Sequence, residues 1–253
     1  MPSYAMCRIT MKGLGDLDVF VDGALDFEKI KPMPRDLDDS LIRTDAYEAM
    51  LYYYTERLSK PDAVLTDAAK EALATTREGR IQSSTAILGD IAYLRRWTAG
   101  ASDKERTELY DAGRRCARNI EKYGAPTWYE WRIKNWGTKW NAVDGELETP
   151  STATFQTAWR PPLPIAEALS KMRPDAELEL IAYTDDDVYA AYHRDADGEP
   201  GYEHKFTFKN GECVGYEKQR LALTDAEPGA EIEAQEEPKE KTKSQKNKRR
   251  SSR

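Results

Sequence analysis

Residues 152–172 read TATFQTAWRPPLPIAEALSKM, and this stretch decides the predicted fold. The segment from Thr152 to Trp159 has the composition of a β-strand, and the RPPLP after it excludes a regular helix or central strand. Pro164 suits the first turn of a helix whose apolar stripe is formed by Ile165, Ala168, Leu169 and Met172. The stretch therefore predicts a strand, a sharp break and a short helix.

Three segments around this stretch also predict strands. Residues 5–11 alternate with a period of two, residues 140–146 precede the quoted stretch, and residues 178–182 follow it. A short helix is predicted at 16–21, after the first strand. Without the helical block described next, the elements follow the order βαββαβ, which is the ferredoxin-like arrangement. We therefore predict an α+β fold with a ferredoxin-like core.

A block of helices separates the first predicted strand from the others. Apolar stripes and one Ala-rich segment at helical spacing cover residues 47–58, 66–76, 87–97 and 109–123. Ser102 and Glu105 form a capping box before the last of these helices. We interpret residues 38–125 as a helical insertion in a core that comprises residues 1–37 and 126–224.

The C-terminal part of the chain predicts additional hairpins and a tail. The predicted strands are residues 188–193, 204–208 and 213–216. Asn210-Gly211 is a dipeptide typical of two-residue hairpin turns. Residues 225–253 are first acidic and then basic, without aromatic residues or an apolar period, so we interpret them as a disordered tail.

Four strings in the predicted core resemble a known family. They are CRITMKG (7–13), DFEKIKPMPRDL (26–37), WYEWRIKNWGTKWNA (128–142) and FQTAWRPPLPIAEALS (155–170). These strings are similar to the ferredoxin-like family typified by the plasmid protein YubB, whose members occur mostly in phages, prophages and conjugative plasmids. The resemblance implies a fold and a mobile-element setting, and it implies no catalytic residue.

Composition limits the class of protein. The 253 residues are 40% apolar, which rules out wholesale disorder, and no run approaches the roughly 20 apolar residues of a membrane helix. The N-terminus lacks a secretory signal pattern, and the three widely spaced cysteines argue against a disulfide framework or a zinc site. We expect the protein to act in the cytoplasm of a bacterial host cell, without a membrane partner.

Charge is distributed unevenly along the chain. Residues 239–253 hold eight basic residues and one acidic residue, whereas residues 1–238 hold 30 basic and 44 acidic ones, a net charge of −14. An acidic body of this kind can present a nucleic-acid-like surface to a basic partner. The basic tail can instead bind phosphates without sequence preference, or it can act as a solubilising terminus. Its candidate binding residues are Lys246, Lys248, Arg249 and Arg250.

Tryptophans interleave with basic residues between positions 128 and 160. The candidate binding residues of this Trp-rich region are Trp128, Trp131, Arg132, Lys134, Lys139 and Arg160. Aromatic and basic side chains together can stack on bases and hold phosphates. The alternative is a packing role, in which the indoles join a helix to the sheet. We favour the packing role and expect Trp136 and Trp159 to be buried, with Gly137 ending the helix in a left-handed conformation.

The sequence offers little support for catalytic or metal chemistry. It contains no GxSxG, no HExxH and no recognisable Cys-His context. His193 and His204 could meet across the turn at 195–201, but a metal site needs at least one further ligand. We therefore predict no catalytic residue, no metal and no cofactor.

The favoured function is that of a non-enzymatic accessory protein of a phage or other mobile element. It would bind a host or defence component, a protein or a nucleoprotein complex, and its acidic surface could mimic nucleic acid. The second hypothesis is a nucleic-acid-binding module that uses the basic tail and the Trp-rich region. An uncharacterised enzyme is the third. A map of charge on the folded body separates the first two hypotheses, because mimicry needs a contiguous acidic face.

Overall fold

The computed structural model describes residues 4–37, 43–57, 84–184 and 202–221. The strands in these ranges are β1 (Tyr4–Met11), β2 (Phe20–Val21), β3 (Ala24–Leu25), β4 (Val143–Thr149), β5 (Thr152–Ala158), β6 (Glu177–Thr184), β7 (Tyr202–Lys209) and β8 (Glu212–Arg220). The α-helices in the same ranges are α1 (Phe27–Ile30), α2 (Arg43–Arg57), α3 (Ser84–Gly100), α4 (Asp103–Tyr123), α5 (Trp128–Trp136) and α6 (Leu163–Met172). The fold therefore mixes helices with a sheet.

Six strands form one antiparallel sheet in the order β4-β5-β1-β6-β7-β8. The central strand β1 pairs with β5 on one side and β6 on the other, so Cys7 lies opposite Phe155 and Ala182. Residues of β1 are alternately exposed and buried, as the period-two pattern predicts. The buried residues of β1 face the core, and its exposed residues define the open face of the sheet.

The core under the sheet joins the strands to α1, α5 and α6. Phe27 of α1 meets the rings of Trp136 and Phe155 edge to face, at centroid distances of 5.8 and 6.0 Å. The indole Nε1–H of Trp136 also donates to the carbonyl oxygen of Lys31 at 2.9 Å. Trp136 is fully buried, so the prediction of a structural role for this residue is confirmed.

The prediction of a helix at residues 16–21 is wrong. The chain forms one 3₁₀ turn at Leu14–Asp16 and then the short strands β2 and β3. Asp22 and Gly23 connect these strands with φ values of 50° and 83°, as a two-residue hairpin of type I′ requires. The Asp-Gly turn therefore outweighs the helical spacing of the apolar side chains around it. The helix that precedes β4 and packs against α6 is α5, which follows the helical block.

Helices α2, α3 and α4 have a hydrophobic core of their own, separate from the core under the sheet. Its buried residues include Met50 and Leu51 of α2, Leu94 of α3 and Cys116 of α4. Helix α4 begins with the predicted capping box of Ser102 and Glu105 and ends at Gly124. The Ala-rich helix predicted at residues 66–76 lies outside the described residues.

The two ends of the helical block lie side by side. Asp36, just before the block, accepts hydrogen bonds from Tyr123 Oη at 2.5 Å and from Lys122 Nζ at 2.9 Å. Leu37, just before the block, and Ala125, its last residue, are both buried in the core under the sheet. The chain therefore leaves this core and returns to it at neighbouring points.

Strands β7 and β8 form the predicted C-terminal hairpin. Asn210 and Gly211 make its turn with φ values of 50° and 82°, which confirms the Asn-Gly signal. The strand predicted at residues 188–193 and the tail predicted at 225–253 lie outside the described residues. None of the described helices has the length and apolar character needed to cross a lipid bilayer.

Candidate functional site

Helix α5 carries several of the residues predicted to bind a ligand. Trp131 is buried, and its ring centroid lies 6.1 Å from that of Trp136. The Arg132 guanidinium lies 5.2 Å from the ring centroid of Trp128 and 4.6 Å from that of Trp136. The same guanidinium forms an ion pair with Glu28 of α1 at 3.7 Å. These contacts join α5 to α1 and the core, in agreement with the packing role.

The other predicted site residues lie in different surroundings. Lys134 on α5 and Arg160 after β5 are exposed, and Lys139 is partly buried in the loop between α5 and β4. The tail residues Lys246, Lys248, Arg249 and Arg250 lie outside the described part of the chain. The structure therefore brings Trp128, Trp131 and Arg132 together in one cluster. Lys139 belongs to a second cluster, which is described next.

Lys139 lies against two indole rings at one end of the sheet. Its Nζ is 3.9 Å from the ring centroid of Trp140 and 3.8 Å from that of Trp159. The Tyr4 ring extends the group, with its centroid 6.4 Å from that of Trp140. Burial lowers the pKa of the Lys139 ammonium below its ordinary value. We name Tyr4, Lys139, Trp140 and Trp159 the aromatic corner. Its central contact is a cation–π interaction of the Lys139 ammonium with two indole rings.

The loop between α5 and β4 holds the aromatic corner together. Gly137 ends α5 with a φ of 83°, as predicted, and a Cβ at this position would lie 2.9 Å from Cδ of Pro164. The buried hydroxyl of Thr138 donates to the carbonyl oxygen of Ala158 at 3.0 Å. The end of the helix is thereby tied to the end of β5, next to the corner.

Trp159 has a strained backbone. Its φ of 68° lies in the left-handed region, which a bulky residue rarely adopts. The Arg160 N–H donates to the Ala158 carbonyl at 2.9 Å, so these residues form the rare, strained kind of γ-turn. The Thr157 hydroxyl donates to the Arg160 carbonyl at 2.8 Å and fixes the turn. A residue in such a conformation costs about 1–3 kcal/mol, and the surrounding contacts must outweigh this cost.

The expectation that Trp159 is buried is wrong. The residue is 45% exposed, although residues 153, 155 and 157 of β5 are buried and the alternation would place position 159 on the same face. The γ-turn ends the strand at Ala158, so the side chain of Trp159 no longer follows the alternation of buried and exposed residues along β5. Packing alone does not account for a strained, half-exposed tryptophan, so Trp159 becomes a candidate binding residue.

Exposed apolar side chains continue from the aromatic corner across the open face. Met6 is 48% exposed and lies directly opposite Tyr183, which is also exposed, on the paired strands β1 and β6. Tyr4 lies two residues before Met6 and therefore on the same face of β1. Exposed aromatic and apolar side chains thus extend from the corner onto the open face. This face also carries the Arg8–Glu148 and Lys205–Glu179 ion pairs, and the Tyr183 hydroxyl donates to the Glu203 carboxylate there.

The described residues carry almost no net charge. They hold 25 Lys and Arg against 26 Asp and Glu. Residues 38–42, 185–201 and 222–238, which lie outside the described ranges, hold 14 acidic residues and one basic residue. The acidity of residues 1–238 is therefore concentrated in these three segments.

The segments that build the aromatic corner contain no acidic residue. Residues 4–15, 131–143 and 149–166 hold six basic residues, and none of their side chains is a carboxylate. Within the described part of the chain, Arg8 and Arg132 form ion pairs with glutamates of other segments, whereas Lys139 and Arg160 form none. The corner therefore holds two cations, Lys139 and Arg160, whose charge no carboxylate of the described residues neutralises in an ion pair.

His204 and Cys7, two further residues of types that take part in catalysis, are buried in the fold. Among the described residues, no cluster of three or more His, Cys, Asp or Glu side chains would suit a metal ion. His204 is buried on β7 with its Nδ1 2.9 Å from Tyr216 Oη, while His193 lies outside the described ranges. Burial raises the pKa of the Cys7 thiol to about 12, so this thiol stays protonated.

A shallow depression of 330 Å³ lies on the helical block. It is lined by Tyr52, Asp103, Arg106, Thr107 and Tyr110. The Arg106 guanidinium forms an ion pair with Asp103 and donates to the carbonyl oxygens of Thr98 and Ala101. The cation in the depression is therefore already engaged.

Comparison with known proteins gives little guidance. No family model matches the chain, and no curated protein matches it. A crystal structure of the protein api92 from Yersinia pseudotuberculosis, of the DUF1281 family, aligns with 10% identity and a TM-score of 0.34. The alignment covers 88% of this chain and 100% of that chain. A likeness at this TM-score carries no argument about the fold or the function.

Proposed function

We propose that the protein is a non-enzymatic accessory protein of a phage or other mobile element, and that it binds a nucleoprotein component of the bacterial host or its defence in the cytoplasm. The open face of the sheet carries this proposal, because Met6 and Tyr183 are exposed there beside Tyr4 of the aromatic corner. Adjoining exposed aromatic and apolar side chains are typical of interaction surfaces. The mobile-element setting rests on the four strings that resemble the YubB-type family.

We also assign the centre of the sheet to a ferredoxin-like core. The order β4-β5-β1-β6 supports this assignment, because two βαβ units that each admit one antiparallel strand interleave in that order. In this assignment α5 and α6 are the two crossover helices, and β7 and β8 are additions. The hydrogen bond from Tyr123 to Asp36 supports residues 38–125 as an insertion, since it brings the ends of the block together.

The proposal is tested by capture of partners from a bacterial lysate, with and without nuclease treatment. Met6→Glu places a charge in the middle of the open face, and it should abolish capture of the partner that the wild-type chain retains. Val214→Glu is the matched control, because Val214 is an equally apolar, 58% exposed residue on the edge strand β8. This control should leave capture unchanged.

Equal capture by the Met6→Glu variant and the wild-type protein would contradict a role for the open face. Loss of capture in both variants would indicate a general effect of added negative charge, which also contradicts the proposal. Circular dichroism and thermal denaturation of both variants verify that they remain folded.

A second candidate function uses the acidic segments. Residues 185–201 and 222–238 hold 12 acidic residues and one basic residue, so they would be attracted to a basic cleft of a partner. Replacing the six acidic residues of 222–238 by their amides would then abolish capture, while Met6→Glu would leave it intact. The opposite pattern supports the open face.

A further inference from the structure

We propose that the aromatic corner binds single-stranded nucleic acid, with bases stacked on Trp140 and Trp159 and phosphates held by Lys139 and Arg160. The inference rests on the proposed function, because it names the component of a nucleoprotein partner that the corner takes. The stacking residues are then Trp140 and Trp159 at the end of the sheet, in place of Trp128 and Trp131 of α5, which the sequence offered as candidates.

The two cations at the corner favour an anionic ligand. Residues 131–143 and 149–166 contain four basic residues and no acidic one, in a chain whose net charge is −7. Lys139 and Arg160 have no carboxylate partner among the described residues. Arg160 is exposed, whereas the Lys139 ammonium already lies against the Trp140 and Trp159 rings and would contact a phosphate from that position. An exposed, locally basic surface of this kind attracts phosphates.

The aromatic side chains at the corner select the kind of anion. Trp159 is 45% exposed although its backbone is strained, and Trp140 is partly exposed beside it. Bases stack on aromatic ring faces beside cations. Lys139 covers one face of each indole, so the bases would stack on the opposite faces. Acidic peptides would engage the two cations but would leave the indole faces without a matching partner, so a nucleic acid fits the corner better.

The accessibility of bases favours a single strand over a duplex. In a duplex, the face of each base is stacked on its neighbours, and a surface indole reaches only the base edges and the backbone. In a single strand the base faces are free to stack on aromatic side chains. Met6 and Tyr183 are exposed farther along the open face, but Tyr183 donates to the Glu203 carboxylate there, so the site we propose is limited to the corner.

The test uses the full chain with the positive charge of its tail reduced. The parent variant carries glutamine at positions 246, 248, 249 and 250, which lowers unspecific binding by the tail without changing the length of the chain. The probes are a fluorescein-labelled oligo-dT, an oligo-U of the same length and a DNA duplex of that length. Fluorescence anisotropy measures the affinity of the parent for each probe, and the first two probes distinguish DNA from RNA.

Trp140→Leu and Trp159→Gly each remove one ring from the corner. Each substitution should weaken the binding of single strands about tenfold or more, because it removes one stacking partner. Trp159→Phe retains a ring and should retain most of the affinity. Trp97→Leu is the matched control, since Trp97 is 47% exposed on α3 and should leave the affinity unchanged.

Substitutions of the two cations should change the salt dependence of binding. Lys139→Gln and Arg160→Gln should each reduce the slope of log affinity against log salt by about 0.7, as expected for one phosphate contact to a single strand. The tryptophan variants should lower the affinity and leave this slope unchanged. A merely structural role of the corner would not separate the two kinds of variant in this way.

Three results would overturn the inference: no binding of single strands by the parent, equal affinity for the duplex, or unchanged affinity in both tryptophan variants. If Met6→Glu loses its partner while the oligonucleotides do not bind, the proposed function stands and the inference fails. If the corner binds oligonucleotides while Met6→Glu captures its partner normally, the inference stands and the proposed surface fails. Loss of a nuclease-resistant protein partner in the tryptophan variants, without any effect on oligonucleotides, would make the corner a protein-binding site.

Discussion

Gly113 on α4 packs so closely against α2 that the helical block has no space for a side chain at this position. A Cβ at Gly113 would lie 2.0 Å from the carbonyl oxygen of Ala49 and 2.6 Å from Cβ of Tyr53, both on α2. Real Cβ atoms essentially never approach other atoms within 3.0 Å. In Gly113→Ala the two helices must therefore separate by about 1 Å or more.

The expected destabilisation follows from this separation. A gap of about 0.5–1 Å already loses a quarter to a half of the dispersion attraction across a contact, and overpacking a core typically costs about 1–3 kcal/mol. Alanine returns at most about 1 kcal/mol through its higher helix propensity. Because the closest contact is with a backbone oxygen that cannot rotate away, we expect a net loss of about 2 kcal/mol. For a chain of this size the thermal midpoint should fall by about 4–8 °C.

The assay compares thermal denaturation of Gly113→Ala with that of Gly100→Ala. Gly100 ends α3 in the same block, and a Cβ there would meet no atom within 4 Å, so its replacement should be neutral or stabilise by up to about 1 kcal/mol. Circular dichroism follows the unfolding of the helices through the thermal transition. An unchanged midpoint for Gly113→Ala, or equal loss in both variants, would refute the close packing of α2 and α4.

Three further predictions concern buried or hydrogen-bonded groups. Trp136→Ala removes a fully buried indole and should lower the free energy of unfolding by about 3–5 kcal/mol in urea titration; a loss under 1 kcal/mol would contradict its place in the core. Iodoacetamide should modify exposed Cys213 in the native protein but reach buried Cys7 only after unfolding, which mass spectrometry can verify. The hydrogen bond from Tyr123 lowers the pKa of Asp36, so its stabilising effect is present above a pH of about 4 and is lost below it; Asp36→Asn should remove this part of the pH dependence measured by denaturation.

The strands of the sheet could be predicted because burial on one face leaves a period-two signal. The alternation in β1 and the Asn-Gly turn between β7 and β8 both predict the observed elements. The segment 16–21 was mispredicted because its apolar spacing suits a helix, whereas the Asp22-Gly23 turn after it requires a hairpin. Asp22 and Gly23, both with positive φ, thus decided the local structure. The preference of Asp-Gly and Asn-Gly for two-residue turns accounts for both hairpins, β2–β3 and β7–β8.

The candidate site could be predicted only in part, since the composition of the Trp-rich region does not say which indoles face the core. The helical spacing of Trp128, Trp131 and Arg132 correctly indicates packing of α5 against the core. The exposure of Trp159 depends on a left-handed γ-turn, and a tryptophan at such a position has no sequence signal of its own. The sequence did place Lys139 directly before Trp140 and Arg160 directly after Trp159, which is the pairing of basic and aromatic residues found at the corner.

Local rather than total charge decides what the folded body can bind. A net charge of −14 over residues 1–238 favours mimicry of nucleic acid, yet the described residues hold nearly equal numbers of acidic and basic side chains. At physiological salt an exposed charge acts over a Debye length of about 8 Å, so acidic residues beyond that distance have little influence on a ligand at Lys139. The cations of the corner are Lys139 and Arg160, whereas the acidic residues that would attract a basic protein are concentrated in residues 185–201 and 222–238. The two hypotheses thus belong to different parts of the chain, and one protein can satisfy both when its partner contains nucleic acid as well as basic protein.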